Sequence, residues 1–224
     1  MSDRALRAGV LLDVDGTLLD TNYLHALAWW QAFRDTGHGD VGAWTLHRAI
    51  GIGSEELVER VLGSPDEDVV EAHSRRYSAL QDQATAFPRA ADLLAGCADL
   101  GLTVVLATSG KKDDLDWMLP AIGAADGVVT GSTTSDDVDA AKPHPDLLQA
   151  AVRDHGLDPA RTVVVGDTVW DVEAAQAAGL PCVALLCGGI GRAELTEAGA
   201  AAVYDDPAAL LAALDGSPIG SAAR

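Results

Sequence analysis

Three features of the amino-acid sequence predict an α/β protein with a parallel central sheet and a small α-helical cap. Short apolar runs recur along the chain and end in turn residues, helical stretches separate them, and one long segment near the N-terminus carries helix signals but no strand-like run. Strands alternating with helices place helices on both faces of a parallel sheet, the arrangement of a Rossmann-like three-layer sandwich.

Residues 8–14 form the first run, apolar until it meets acids and glycine, as a buried strand of a parallel sheet would. Comparable runs, rich in Val, Leu or Ile and bounded by turn residues, follow at 102–107, 127–130, 162–166 and 181–186. Pro88 opens a helical stretch that Gly101 closes, Pro143 opens one that Gly156 closes, and Asp171 leads into a third that ends at Gly179. Between residues 20 and 88 the sequence predicts helices over 23–33, 54–62 and 66–83. An insertion directly after the first strand lies over the carboxyl end of the sheet, where open parallel sheets bind ligands. Residues 20–88 are therefore expected to form a cap on a core made of residues 1–19 and 89–216. Residues 217–224, small and polar, are expected to fray.

Composition narrows the function. With 224 residues, 48% of them hydrophobic and 22% charged, the chain is long enough and apolar enough for a substantial core. A formal charge of -19 argues against binding nucleic acid or an anionic membrane, both of which need clustered Lys and Arg. An anionic substrate would be repelled by the same field, so it requires a metal ion and a few placed cations. Cys97, Cys182 and Cys187 are odd in number and fall in helix-like or strand-like segments, which fits a reduced, cytoplasmic protein. No secretory signal pattern and no membrane-spanning apolar stretch is evident.

The chemistry-bearing residues stand at the ends of the expected strands. In Asp13-Val14-Asp15-Gly16-Thr17 the two carboxylates point the same way on an extended segment, and a turn at Gly16 brings them together. Such a pair repels unless a cation or shared proton intervenes, and Mg2+ suits hard oxygen ligands of this kind. An isolated Asp-x-Asp is as readily a strand-end turn. The second strand ends in Thr108-Ser109-Gly110, where a hydroxyl and backbone N–H groups can meet a phosphate oxygen, though Thr or Ser there is also an ordinary cap. Lys142 precedes an expected helix start, a position where the helix dipole calls for a nearby anion. The fourth strand ends in Gly166-Asp167, with Asp171 close behind.

Taken in order, Asp13-Val14-Asp15-Gly16-Thr17, Thr108, Lys142 and Gly166-Asp167 with Asp171 resemble the four motifs of the haloacid dehalogenase superfamily, over nearly the whole chain. The helical insertion is similar to the cap of the members related to phosphoglycolate phosphatase and β-phosphoglucomutase, with Asp20-Thr21, His25 and Trp29 at familiar offsets. The resemblance implies a Mg2+-dependent phosphatase acting on a small phosphorylated metabolite, as a monomer or homodimer. Asp13 would be the nucleophile and Asp15 the acid and base, while Thr108 and Lys142 would stabilise the phosphoryl group. Asp13, the Asp15 carbonyl and Asp167 would hold the metal, supported by Asp171. Gly16, Thr17, Ser109 and Gly110 are placed around the phosphate. His25 either meets Asp15 or substrate when the cap closes or simply packs beside Trp29 and Trp30. Arg48 and the turn at Gly51-Ile52-Gly53 either line the specificity face or are a solvated side chain and a plain turn.

Rival readings are weaker. The only lysines are Lys111, Lys112 and Lys142, so the insertion offers none for a Schiff base or for the cap phosphate contact that resembles part of a β-phosphoglucomutase site. Asp15 disfavours a dehalogenase proper, which lacks that acid. A receiver-type phosphoacceptor module would carry its aspartate in mid-domain and no insertion, and a non-catalytic binding protein would not need every one of these positions filled.

Overall fold

The computed structural model describes residues 5–224. Six strands form one parallel sheet: β1 (Arg7–Leu12), β2 (Thr103–Ala107), β3 (Gly131–Thr133), β4 (Leu157–Gly166), β5 (Cys182–Leu185) and β6 (Ala202–Tyr204), in the spatial order β3-β2-β1-β4-β5-β6. The chain carries eleven α-helices among the described residues: α1 (Asn22–Asp35), α2 (Ala43–Arg48), α3 (Ser54–Leu62), α4 (Glu67–Ser78), α5 (Ala90–Asp99), α6 (Leu115–Ile122), α7 (Asp146–Asp154), α8 (Val169–Ala177), α9 (Arg192–Glu197), α10 (Pro207–Ala212) and α11 (Pro218–Ala223). Helices α1 to α4 lie between β1 and β2 with no strand among them.

The period-2 alternation of a strand sends neighbouring side chains to opposite faces, and β1 fills both layers. Val10 and Leu12 join Leu93, Leu94, Val104, Leu106 and Met118 on one side. Leu11 joins Val105, Leu147, Leu148, Val164 and Val172 on the other. Val10 pairs with Val104 of β2 and Val163 of β4, so β1 is central and its carboxyl end sits where the strand order reverses. The inserted helices have a core of their own, built from Trp29, Phe33, Leu46, Leu57, Val58 and Val69, against which Trp170 of α8 also packs.

Several expectations are corrected. The run at 127–130 is not a strand: Val128 and Val129 pack against the core from a loop, and the pairing with β2 falls on the more polar Gly131–Thr133. Apolar character there reports burial, and the backbone ladder is a separate matter. Strand β6, absent from the expected runs, is a short edge strand whose three residues are all half-buried. Residues 217–224 do not fray. Ser217 caps α11 by accepting from the N–H groups of Ile219 and Gly220, the Ile219 side chain is fully buried in the core, and Arg161 donates to the carbonyls of Ala222 and Ala223.

Candidate active site

The carboxyl ends of β1, β2 and β4 bring together residues far apart in sequence. Asp13 follows β1, Thr108 follows β2, and Asp167 follows β4; all three are buried. Helix α8 begins immediately after Asp167, and its capping box holds Asp171: the Thr168 N–H and hydroxyl both donate to Asp171 Oδ2, at 3.1 and 2.6 Å. Lys142 enters from the loop before α7. That helix starts only at Asp146, and the anions that Lys142 meets are the side chains of Asp13 and Asp171. Its Nζ lies 2.6 Å from Asp13 Oδ1 and 2.8 Å from Asp171 Oδ1, with the side chain 1% exposed.

The electrostatics follow from this crowding. Burial pushes Asp13 up from 3.8 to about 7, with Lys142 pulling the other way and Asp171 and Asp15 adding to the rise. Burial and the negative charges of Asp171 and Asp13 likewise hold Asp167 well above the ordinary carboxylate range. Burial opposes the Lys142 ammonium, but Asp13 and Asp171 outweigh it and keep the group above the usual lysine range. Oxygen atoms of Asp13, Asp167 and Asp171 all lie within 4.8 Å of one another. When ionised, the three buried carboxylates against one buried ammonium carry two negative charges in excess, which a single divalent cation matches.

A surrounding set of contacts fixes the acids. Thr17 donates to Asp167 Oδ1 at 2.9 Å, and Asn22 Nδ2 donates to Asp167 Oδ2 at 2.7 Å and to the Gly188 carbonyl at 3.1 Å. Gly16 adopts φ +76°, and a Cβ there would lie 2.3 Å from Asn22 Nδ2 and 2.5 Å from Asp167 Oδ2. Gly16 and Thr17, expected among substrate-binding residues, build the seat of Asp167, and neither lines the cavity. Asn22 went unnoticed in the sequence because a polar residue opening a helix reads as an ordinary end signal.

Asp15 lies apart from the three acids and faces the inserted helices. It accepts from the Thr21 hydroxyl at 2.6 Å, and His25 Nε2 is 3.3 Å away. Burial alone would raise its pKa, but His25 and Thr21 outweigh burial and the carboxyl is held below its ordinary value. His25 stacks on Tyr77 with 3.7 Å between ring centroids, and its Nδ1 is 3.2 Å from His73 Nε2; His73 stacks in turn on Trp29 at 3.7 Å. Of the two readings of His25, contact with Asp15 and packing, the structure combines both. His73 and Tyr77 of α4 carry no sequence signal beyond an ordinary buried helix face.

A cavity of about 900 Å³ opens between core and inserted helices, lined by Asp13, Asp15, His25, Thr108, Ser109 and Gly110 together with residues of α3 and α4. The Thr108 hydroxyl accepts from the Gly110 N–H at 3.0 Å, and Ser109 donates to the Gly51 carbonyl at 3.0 Å, joining core to insertion beside the cavity. The turn at Gly51-Ile52-Gly53 lines it. Arg48 does not: its guanidinium is drawn to both carboxylate oxygens of Glu194, a contact that bridges insertion and core.

Comparison with known proteins agrees with this geometry. The profile of the haloacid dehalogenase-like hydrolases matches residues 8–179. The chain is 34% identical over 196 residues to a phosphoglycolate phosphatase of Yersinia pseudotuberculosis, covering 83% of each chain. A hydrolase from Pseudomonas syringae superposes with a TM-score of 0.86 at 34% identity, over 94% of this chain and 99% of that one. CbbY from Rhodobacter sphaeroides, solved in complex with phosphate, gives a TM-score of 0.72 at 27% identity, over 94% of this chain and all of that one (100%). With its parallel sheet, its strand-end aspartates and a family match over most of its length, the chain belongs to the haloacid dehalogenase-like hydrolases.

Proposed function

We propose that the protein is a Mg2+-dependent phosphatase that hydrolyses a small-molecule phosphomonoester through an aspartyl-phosphate on Asp13. The observation that carries this reading is the buried group of Asp13, Asp167, Asp171 and Lys142, short of two positive charges and open to a cavity through Asp13. Asp13, the Asp15 carbonyl and Asp167 would hold Mg2+, supported by Asp171. Bound there, the ion offsets the repulsion between an anionic nucleophile and an anionic phosphate and polarises the phosphoryl oxygens.

The protein's own residues supply the rest. Lys142, 2.6 Å from Asp13, holds one carboxylate oxygen and leaves the other to attack phosphorus in line. Covalent transfer divides one slow displacement into two easier steps. Asp15 first protonates the departing oxygen, which sends the alcohol away, and then takes a proton from the water that cleaves the acyl phosphate. His25 and Thr21 orient Asp15 for both steps. The Thr108 hydroxyl and the Ser109 N–H provide hydrogen bonds for phosphoryl oxygens, the Gly110 N–H orients Thr108 by donating to its oxygen, and Lys142 offsets charge that develops there. Residues 20–88 act as the cap that excludes water. The substrate classes named for the relatives, and the phosphate bound to CbbY, support a phosphorylated small molecule.

The test is phosphate release from p-nitrophenyl phosphate. Wild-type protein is expected to turn over with Mg2+ and to stop on chelation, while Asp13→Asn keeps its fold by circular dichroism and loses about 10³-fold or more in kcat. Wild-type rates from Asp13→Asn would refute the nucleophile.

A further inference from the structure

The lining of the cavity is strongly acidic. Beyond Asp13 and Asp15, it carries Glu55, Glu56 and Glu59 from α3, and Asp114, Asp136 and Asp139 from the core side. Among the described residues the one Lys or Arg lining it is Lys111, which is exposed and whose backbone N–H donates to the Asp114 carboxylate at 3.3 Å. His73 adds no compensating charge: burial, His25 and Lys111 hold its pKa well below the ordinary histidine value. In the insertion Arg48 is committed to Glu194, and Arg60 lies over the Trp170 ring, 4.5 Å from its centroid.

Tyr77 is 5% exposed and lines the cavity, and its hydroxyl, although beside Asp15 and Thr21, finds no hydrogen-bond partner of acceptable geometry. A buried polar atom of this kind awaits a partner. Its position next to Asp15, which serves the departing oxygen, puts it against the organic part of the substrate.

Resting on the phosphatase reading above, we propose that this cavity selects phosphomonoesters whose alcohol part carries hydroxyl or amino groups and no second anion, with Tyr77 hydrogen-bonding that part and the acidic wall rejecting carboxylates and second phosphates. The Mg2+ seat and Lys142 serve one phosphoryl group, and among the described residues no arginine lines the cavity to receive another anion. A carboxylate placed there is repelled by like charges, which costs binding whatever the quality of the phosphate contacts. The inference departs from the substrate named for the Yersinia relative, since phosphoglycolate bears a carboxylate on the carbon next to its phosphate ester.

Three two-carbon esters of nearly equal size isolate the charge: 2-phosphoglycolate, 2-hydroxyethyl phosphate and 2-aminoethyl phosphate, run on the wild-type protein with Mg2+ and p-nitrophenyl phosphate as control. The hydroxyl and amino esters are expected to exceed phosphoglycolate in kcat/KM by about tenfold or more, chiefly through KM, with the gap narrowing as added salt screens the wall. In Glu55→Gln/Glu56→Gln/Glu59→Gln the ratio of hydroxyethyl phosphate to phosphoglycolate should fall about tenfold, a ratio taken within one protein and so insensitive to its folded fraction. Phosphoglycolate turned over as well as the other two, or p-nitrophenyl phosphate hydrolysed with neither the hydroxyl nor the amino ester accepted, would overturn this inference and leave Asp13 chemistry standing. No hydrolysis of any ester, the control included, would overturn the phosphatase reading itself.

Discussion

Burial raises the pKa of Asp13 and opposes the charge on Lys142, while their 2.6 Å contact favours the charged form of each. The neighbours that hold Asp167 matter for the same reason. A Cβ on Gly188 would fall 1.7 Å from Asp167 Oδ2, so Gly188→Ala must displace that carboxylate. It is expected to raise the Mg2+ concentration for half-maximal activity about 10- to 100-fold, the usual cost of disturbing a ligand's supports, and unchanged Mg2+ dependence would contradict the assignment of Asp167. At this scale the acids, Thr108 and Lys142 were legible because each ends a strand in a fixed order. Asn22, His73, Tyr77 and Gly188 were not, since their roles arise from the three-dimensional neighbours of ordinary polar, aromatic or glycine positions. Arg48 was legible as a cation near the turn at Gly51, but its partner Glu194 lies 146 residues away.

Among elements, the central strands and the longer amphipathic helices could be read from periodicity, and α3 begins and ends where the sequence places it. The edges could not. Strands β3 and β6 are three residues each and take their pairing from neighbours, and α6 runs through Pro120, which reads as a helix breaker. The last helix, α11, has the composition of a loose tail, yet Ile219 anchors it in the main core. Ile219→Ala is expected to cost about 2–5 kcal/mol in chemical unfolding, as for other buried large-to-small changes, whereas a frayed end would lose almost nothing. The bridge between α2 and α9 is a different case. Arg48 and Glu194 are each about one-third exposed, at 31% and 38%, so a double-mutant cycle should give a coupling of only about 0–1 kcal/mol; its effect belongs in the closing of the cap, read as KM, more than in stability.

The whole molecule carries a formal charge of -19, and its active site adds buried acids to that field, so metal, protons and stability are linked. Because Asp13 rises from 3.8 to about 7 on folding, the folded metal-free protein binds more protons than the unfolded chain between those values. Its stability should therefore fall as pH rises from about 4 to about 7; Lys142 titrates above that window and adds no slope there. Mg2+ competes with those protons, so its thermal stabilisation should be larger at pH 7.5 than at pH 5, and a shift in melting temperature independent of pH would contradict the linkage. The central claim, that phosphate passes through Asp13, has a more direct test. p-Nitrophenolate leaves without an acid, so Asp15→Asn should still form the acyl phosphate from p-nitrophenyl phosphate while losing the base that activates water. Acid-quenched peptide mass spectrometry of Asp15→Asn with Mg2+ is predicted to find a phosphoryl group on Asp13, absent when Asp13→Asn is added; a phosphoryl group elsewhere, or none while phosphate is still released, would contradict the account.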